Sequence, residues 1–428
     1  MLHRGRLALF SLTLQARLMT TSALAAPASP PVRARVALVS DVQYAREADA
    51  DNYVGSRRRH YRHSLEVLKR AVAWFDAPLP AGPPIGVAVQ LGDLLDFKAH
   101  ADGAASTALA MGDVVKVLEG GDLGRRQRWR ACVGNHELYN YKRAALRRMP
   151  MYYDAAAGGS GGSDGSGDEE ALHYRMDLGG GWRAVMLDAF ADSIMDPVGG
   201  PAAVARATRY LADKVGRAVR RAVFAVAAAN SSRTVVRRAV AAGRLAHRPP
   251  APTQNPNIDP DNPLVSADWT KDLDPLQRRY VPYNGGLGPA QRAWLEAELA
   301  AAAAARERVL VFCHLPCFSA CSRANNILWD AELVHDLLRK AGPRVVAAFV
   351  AGHDHDGGYA VDEDGVHHLV PRAPLEVDEG DDAFGRLDLF DDRIDVTWRG
   401  KAPREPDPAD GFVDARRQGW PASLELVQ

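Results

Sequence analysis

The sequence contains little cysteine, no excess of either charge and no long hydrophobic run. Four cysteines in 428 residues are too few for the disulfide framework of a secreted protein, so a reducing compartment is the simpler expectation. Cys317 and Cys321 stand near His314, but no second Cys/His pair stands at zinc-site spacing. The 53 basic and 53 acidic residues balance, which argues against nucleic acid or an anionic membrane as a partner. No apolar run is long enough to span a bilayer, so we expect a globular protein whose chemistry lies in local motifs.

Acidic residues are also missing from the first 40 positions. Several arginines stand there among Ser, Thr and Ala, a composition typical of an organelle transit peptide. An apolar run at 7–14 would suit secretion, but Gln15 and Arg17 interrupt it before the Ala-Leu-Ala sequence at 23–25. A disordered leader explains the same composition. We predict that residues 1–34 are a disordered or targeting leader and that the protein is cytoplasmic or organellar, with a plastid or mitochondrial transit peptide as the targeting alternative.

Short apolar runs separated by helical patterns predict an α/β fold. The predicted strands are 35–40, 85–91, 129–133, 182–187, 308–313 and 344–350. Leu65, Leu68, Val72 and Phe75 recur at helical spacing and predict a helix over 62–76. Further helices are expected over 289–305 and 330–340. Shorter strands near 366–370, 384–390 and 393–398 predict a second sheet packed on the first.

The predicted domain covers residues 35–400, with 401–428 as a C-terminal tail. Two segments inside it do not fit the strand and helix pattern. Residues 155–170 are a flexible Gly/Ser-rich loop of low complexity. Residues 214–258 contain eight arginines and no acidic residue, and could form a helical insertion that binds an anionic partner. We favour an ill-ordered surface insertion, because few large apolar residues are present.

Potential metal ligands and proton-transfer groups follow the predicted strands. They are Asp41, Gln43, Asp93, Asn135, His136, His314, His353 and His355. Because strand carboxyl ends in an open α/β sheet lie at one edge, we expect these residues to converge there. Two divalent cations about 3.5–4 Å apart need a bridging carboxylate and further carboxylate, amide and imidazole ligands, and Asp93 is the natural bridge. Glycines at 92, 134 and 352 each precede a candidate ligand and let the backbone approach the metals.

The order D-x-Q, G-D, G-N-H-E, H and G-H-x-H resembles the calcineurin-like metallophosphoesterases over about 35–400. The resemblance implies a two-sheet sandwich of β-α-β units, flanked by helices, with a dinuclear site at the strand carboxyl ends. It implies that one metal is held by Asp41, Gln43, Asp93 and His355, and the other by Asp93, Asn135, His314 and His353. His136 matches the catalytic histidine of that family, with an orienting role as the alternative. Glu137 is expected to hold a histidine in its tautomer.

Within this superfamily, the motifs distinguish one branch. The stretch GDLLDFK lacks the Arg-Gly of protein phosphatases, and Asp96 stands where purple acid phosphatases have a tyrosine. The sequence is instead similar to manganese-dependent ADP-ribose/CDP-alcohol diphosphatases in DVQY (41–44), YRHSL (61–65), YNGGLGPAQRAWL (283–295), ILWD (327–330), AGHDHDGGY (351–359) and GVHH (365–368). The chain departs from that branch in the 214–258 insertion and in Asp330, where asparagine is usual.

This resemblance implies hydrolysis of the diphosphate bond of ADP-ribose, or of CDP-alcohols such as CDP-choline and CDP-glycerol. A metal-bridging hydroxide would attack one phosphorus and release a nucleoside monophosphate and a phosphomonoester. The alternatives are another phosphodiesterase or phosphomonoesterase of the superfamily, or a binding scaffold without metals. Gln43 replaces a histidine with a neutral oxygen donor, which favours two manganese ions over zinc. Nucleoside-diphosphate-linked small molecules would be the partners of a chain that we expect to be monomeric.

Substrate contacts are expected at Tyr44, Arg62 and His63, which lie within the matched motifs. We also expect a helix carrying the basic run from Arg57 to His63 to clamp the second phosphate. A solvated basic face explains the consecutive arginines equally well.

Overall fold

The computed structural model describes residues 30–52, 55–153, 171–200, 202–207, 278–401 and 420–428. Internal contacts divide the chain into Met1–Pro31 and Val32–Gln428, and the account below concerns the second unit. The loop 155–170 and the insertion 214–258 lie outside the described residues, apart from none of their positions, and so does nearly all of the leader. The division into leader, domain and tail therefore stays a prediction.

Most of the described strands belong to two six-stranded sheets. In chain order the strands are β1 (Ala34–Val39), β2 (Ala50–Asp51), β3 (Arg58–Arg59), β4 (Val87–Gln90), β5 (Trp129–Ala131), β6 (Tyr174–Gly179), β7 (Trp182–Met186), β8 (Arg308–Phe312), β9 (Val346–Val350), β10 (Gly358–Val361), β11 (His367–Val370), β12 (Ala383–Leu389), β13 (Arg393–Gly400) and β14 (Ser423–Glu425). The first sheet has the order β14-β13-β12-β1-β4-β5, and the second β10-β11-β9-β8-β7-β6. The short pair β2 and β3 is separate.

The strands that lead into the predicted site are parallel within each sheet. In the first sheet β1 pairs with β4, and β4 with β5, in parallel register. In the second sheet β7, β8 and β9 pair in the same way. Antiparallel strands flank both parallel groups, β12 next to β1 and β6 next to β7. The α/β two-sheet architecture predicted from the sequence is confirmed.

Helices cover the sheets as their apolar spacing predicts. Their bounds are α1 (His63–Phe75), α2 (Ala104–Gly120), α3 (Asp122–Arg125), α4 (Asn135–Asn140), α5 (Arg143–Leu146), α6 (Gly288–Ala305) and α7 (Ala331–Ala341), and residues 202–207 are also helical. Helix α1 buries Leu65, Leu68, Val72 and Phe75, the four residues whose spacing predicted it. Helix α6 has a proline in its first turn, where the missing N–H costs no hydrogen bond. Among the described residues, no helix is both long and apolar enough to cross a membrane.

Strand β1 shows how the core is divided. Its residues alternate between two faces, as a pleated strand requires. Val36 and Leu38 pack in a cluster with the second sheet, whereas Ala37 and Val39 pack with α1 and α2. Because β1 is buried on both faces, its carboxyl end can carry charged ligands only where other polar groups meet them.

The basic run at 57–63 differs from the prediction. Arg58 and Arg59 form β3, which pairs with β2, and helix α1 begins only at His63. The basic run therefore precedes the helix and does not form one of its faces. The helix starts late because its apolar spacing begins at Leu65, and the residues before Tyr61 have no apolar side chain to bury there.

Candidate active site

The predicted ligands follow strands of both sheets. Asp41, Asp93 and Asn135 come after β1, β4 and β5 of the first sheet, whereas His314 and His353 come after β8 and β9 of the second. Four of the candidate ligands have a left-handed backbone, with φ of 44° at Asp41, 42° at Gln43, 59° at Asp93 and 66° at His353. Non-glycine residues rarely adopt this conformation, and such strain is concentrated at functional sites.

Two of the glycines allow the backbone turns to pack closely. A Cβ atom at Gly92 would collide with the ring of His314, and one at Gly134 would collide with the carboxylate of Asp93. Gly92 also has a φ of 103°, which disfavours any side chain. The close approach expected at these positions is therefore built into the chain.

Four side chains from four different strand ends surround one point. His314 Nε2 lies 3.1 Å from His353 Nδ1, 3.3 Å from Asn135 Oδ1 and 3.4 Å from Asp93 Oδ2. Asp93, His314 and His353 form one of the groups capable of holding a metal ion in the described part of the chain. We call Asp93, Asn135, His314 and His353 the Asp93 cluster.

Hydrogen bonds outside the Asp93 cluster set the tautomers of its histidines. His314 Nδ1 donates to the carbonyl oxygen of Leu91 at 2.8 Å. His353 Nε2 donates to Asn284 Oδ1 at 3.1 Å. Asn284 cannot present its nitrogen there, because its Nδ2 donates to the carbonyls of Arg279, Asn325 and Ile327. In the neutral rings, His314 Nε2 and His353 Nδ1 are therefore lone-pair atoms that face each other and the Asp93 carboxylate.

A second group of ligands lies on the other side of Asp93. His355 Nδ1 donates to Glu376 Oε1 at 2.8 Å, so the neutral ring directs its Nε2 lone pair toward Asp41 Oδ1, 3.7 Å away. Gln43 Nε2 lies 2.9 Å from His355 Nε2 and 3.2 Å from Asp93 Oδ2. Gln43 Oε1 is buried and has no hydrogen-bond partner among the described residues. Exchanging the two ends of this amide would direct its oxygen to the side of Asp93 and His355, where a cation would bind.

These two groups of side chains fit a pair of divalent cations. Buried lone pairs about 3 Å apart repel each other unless a cation or proton lies between them. Burial alone would lower the pKa of His314, but Asp93 and Asp41 raise it to about 9. Without a metal, a proton on His314 thus supplies the missing positive charge. The donor set of carboxylate, amide and imidazole is suited to transition metals.

His136 lies next to this centre. The backbone N–H of Phe97 donates to His136 Nδ1 at 2.9 Å, so the neutral ring carries its proton on Nε2. Nε2 is 3.9 Å from Asp93 Oδ2, and Nδ1 is 3.5 Å from Asp96 Oδ2. The ring can therefore present an N–H donor to a group bound beside Asp93, which is the geometry that the catalytic assignment requires.

Comparisons with known proteins agree with this geometry. The manganese-dependent ADP-ribose/CDP-alcohol diphosphatase of Danio rerio is 29% identical over 366 residues, which cover 85% of this chain and 94% of that protein. Its counterpart from Oryza sativa subsp. japonica is 27% identical over 362 residues, covering 83% of this chain and 88% of that protein. The chain is a relative of these diphosphatases. No family model matches it.

A solved structure supports the same relationship. The dimetal phosphatase from Danio rerio has a TM-score of 0.64 and 26% sequence identity, and the match covers 86% of this chain and 96% of that one. The metallophosphoesterase resemblance seen in the motifs is therefore confirmed at the level of the whole fold.

The role expected for Glu137 differs from the prediction. Glu137 Oε2 accepts the backbone N–H groups of Asp93 and Gly134, and Oε1 accepts those of Leu94 and the Tyr152 hydroxyl. It has no hydrogen bond to a histidine. Burial and the charge of Asp93 raise the pKa of Glu137 to about 7, against the backbone donors that favour its ionised form. Glu137 thus fixes the two turns that carry Asp93 and Asn135 in this diphosphatase relative.

The three predicted substrate residues are directed elsewhere. The Tyr44 hydroxyl donates to Asp113 at 2.8 Å, and Arg62 donates to the carbonyl oxygen of Arg46. Burial lowers the pKa of His63, and the charges that act on it are those of residues such as Arg70 and His60. The structure assigns none of the three a hydrogen bond or ion pair with the candidate metal ligands, so their substrate role stays a prediction.

Sequence reasoning missed the residues that orient the histidines. Asn284 stands in the matched YNGGLG stretch, which was the available signal, but nothing in the sequence distinguishes Glu376. The departure at Asp330 has a local explanation, because its carboxylate accepts the Leu287 and Gly288 N–H groups and pairs with Arg292. Asp330 therefore supports the start of α6. A zinc site of Cys317 and Cys321 with His314 is not formed, since neither metal-capable group in the described ranges includes a cysteine.

Proposed function

We propose that this chain is a dinuclear metal phosphohydrolase that cleaves the diphosphate bond of ADP-ribose or CDP-alcohols. The observation that carries the proposal is the convergence of lone pairs in the Asp93 cluster, with their hydrogens committed to Leu91 and Asn284. The relatives named as manganese-dependent ADP-ribose/CDP-alcohol diphosphatases support the substrate class.

The ligand sets proposed are those expected from the motifs. Asp41, Gln43, Asp93 and His355 would hold one cation, and Asp93, Asn135, His314 and His353 the other. Asp93 Oδ1 accepts the His136 N–H at 2.8 Å, so Oδ2 is the oxygen left to bridge. When bound, the cations would act as Lewis acids and lower the pKa of a water nucleophile. Two carboxylates and two amides make the donor set rich in oxygen, which supports manganese.

The protein's own groups supply orientation and hydrogen bonding. His136 Nε2–H would donate to a phosphoryl oxygen or to the leaving oxygen as negative charge develops there. Its direction is fixed by the Phe97 N–H on Nδ1. Because the leaving group is a phosphomonoester, whose departing oxygen the metals help to neutralise, little proton transfer is needed.

The cellular setting is proposed on weaker grounds of composition. Cys132, Cys313, Cys317 and Cys321 are all buried and reduced, as expected of a cytoplasmic or organellar protein. The monomeric state remains a prediction from the sequence.

The test is a comparison of substrates with manganese and after metal removal. ADP-ribose should give AMP and ribose 5-phosphate, and CDP-choline should give CMP and phosphocholine. Both should be hydrolysed faster than a generic aryl phosphodiester. Preference for the aryl ester would favour another phosphodiesterase, whereas purified protein that binds no metal and hydrolyses nothing would favour a binding scaffold.

A further inference from the structure

Strand β3 contains two adjacent arginines with different surroundings. The Arg58 side chain is 52% exposed and pairs at 3.3 Å with Asp51, which is also exposed. The Arg59 side chain is only 13% exposed and lies 3.3 Å from Glu376. Neighbouring residues of a strand point to opposite faces. The chain therefore places one arginine in solvent and the next one in the protein.

The position of Arg59 is linked to the metal side of the site. Its Nε lies 3.3 Å from Glu376 Oε1, the same oxygen that accepts from His355 Nδ1 at 2.8 Å. The backbone N–H of His60 donates to the carbonyl oxygen of Leu375 at 2.8 Å, which ties β3 to the turn that carries Glu376. Burial would raise the pKa of Glu376, but His355 and Arg59 lower it to about 2. Glu376 is thus held as a carboxylate between Arg59 and a candidate metal ligand.

The same arginine is linked to the other side of the site. Burial opposes the charge of Arg59, but Asp96, followed by Glu376, raises its pKa above the usual value. Asp96 is buried behind His136, and its Oδ2 has no hydrogen-bond partner among the described residues. The Tyr61 hydroxyl also bonds to Arg59. Arg59 is therefore the buried cation beside two carboxylates that stand behind two different histidines of the site.

We propose that Arg59 is a positioning residue that holds Glu376 against His355 and compensates the charge of Asp96 behind His136. This role rests on the proposed phosphohydrolase function. Its guanidinium is committed to protein carboxylates, so Arg59 acts through them and not by clamping a substrate phosphate. Residues that orient metal-binding histidines commonly change metal affinity or activity about 10–100-fold when they are removed.

The test compares Arg59→Ala with Arg58→Ala, which removes the same charge from the exposed neighbour. Binding of Mn²⁺ is followed by the electron paramagnetic resonance of the free ion, and kcat and KM are measured with ADP-ribose at saturating Mn²⁺. We expect Arg59→Ala to weaken one Mn²⁺ site by about 10–100-fold and to lower kcat more than it raises KM. Arg58→Ala should match the wild type, and Arg59→Lys should recover part of the affinity, because it restores the charge but not the planar fork.

A double-mutant cycle keeps the proposal testable if Arg59→Ala does not fold. In the Glu376→Gln background, Arg59→Lys should weaken Mn²⁺ binding less than it does in the wild type, because the two residues act through one contact. Additive effects on Mn²⁺ affinity would overturn the proposal. It would equally be overturned if folded Arg59→Ala bound Mn²⁺ and turned over substrate like Arg58→Ala. Wild-type protein without Mn²⁺ binding or hydrolysis would instead overturn the proposed function, and the role of Arg59 with it.

Discussion

Two buried groups in this molecule have the same residue types at similar distances. One is Asp93 with His314 and His353, and the other is His335 with Asp362 and His368. In the second group, which we call the Asp362 cluster, Asp362 Oδ2 lies 2.8 Å from His335 Nε2 and 3.4 Å from His368 Nε2. Composition and spacing alone do not separate the two groups.

The direction of the hydrogens separates them. In the Asp362 cluster His335 and His368 hold the pKa of Asp362 well below its usual range, so it is ionised and both Nε2 atoms donate to it. Its Oδ1 accepts the N–H groups of Asp364 and Val366. In the Asp93 cluster the corresponding hydrogens point outward to Leu91 and Asn284. A metal site thus needs inward lone pairs, whereas the Asp362 cluster is complete as a hydrogen-bond network.

Matched substitutions at the two aspartates give the largest contrast. Asp93→Asn should abolish hydrolysis and metal binding, because it removes the bridging carboxylate. Asp362→Asn should keep both the metals and the activity, and should lower the free energy of unfolding by about 1–3 kcal/mol through impaired buried hydrogen bonds. Metal content after purification, turnover of ADP-ribose and urea unfolding measure the three effects. A folded Asp93→Asn variant with normal turnover would refute the dinuclear account.

His136→Ala sharpens the contrast by separating rate from metal binding. The variant should keep its metals and lose about two to four orders of magnitude in kcat, the scale for loss of one proton-transfer or hydrogen-bonding group. His335→Ala in the Asp362 cluster should change neither. If the metal content of His136→Ala falls together with the rate, His136 supports a ligand and does not act on the substrate.

Gln43→His alters the metal centre without removing a ligand. An imidazole in place of the amide should raise activity with zinc and cobalt and lower the dependence on manganese, because nitrogen donors suit the former metals better. Activity with ADP-ribose is titrated with manganese, magnesium, cobalt and zinc for the wild type and the variant. Superimposable metal profiles would exclude Gln43 as the source of selectivity.

The smallest effect concerns the pH dependence of stability in the Asp362 cluster. Burial lowers the pKa of His368 to about 4, with Asp362 opposing and His335 and His367 adding to the decrease. An unfolded histidine titrates near ~6.5, so the unfolded chain gains a proton first as the pH falls. Stability is therefore fully present above that pH and falls by about 1–3 kcal/mol as the pH drops toward 4. His368→Gln should flatten this part of the melting-temperature profile, and an unchanged slope would contradict the assignment.

The sequence predicted the strand-end residues because each motif contains its own ligand and its own glycine. Gly92 and Asp93, for example, are adjacent, and the turn that they form is local. The orienting contacts were not predictable in this way. Glu376 reaches His355 across 21 positions and Arg59 across 317, so only the packed fold brings these groups together. Tyr44 was placed near substrate by its neighbour in the motif, yet its hydroxyl binds Asp113 in α2, a helix that the apolar patterns did not reveal.

The most direct test of the lone-pair account is a crystal structure of the protein soaked in manganese, with anomalous difference density measured at the manganese edge. The account predicts two peaks bridged by Asp93 Oδ2, with His314 Nε2, His353 Nδ1 and His355 Nε2 as the nitrogen ligands. It predicts no peak within the Asp362 cluster. Density between His335, Asp362 and His368, or none beside Asp93, would contradict it.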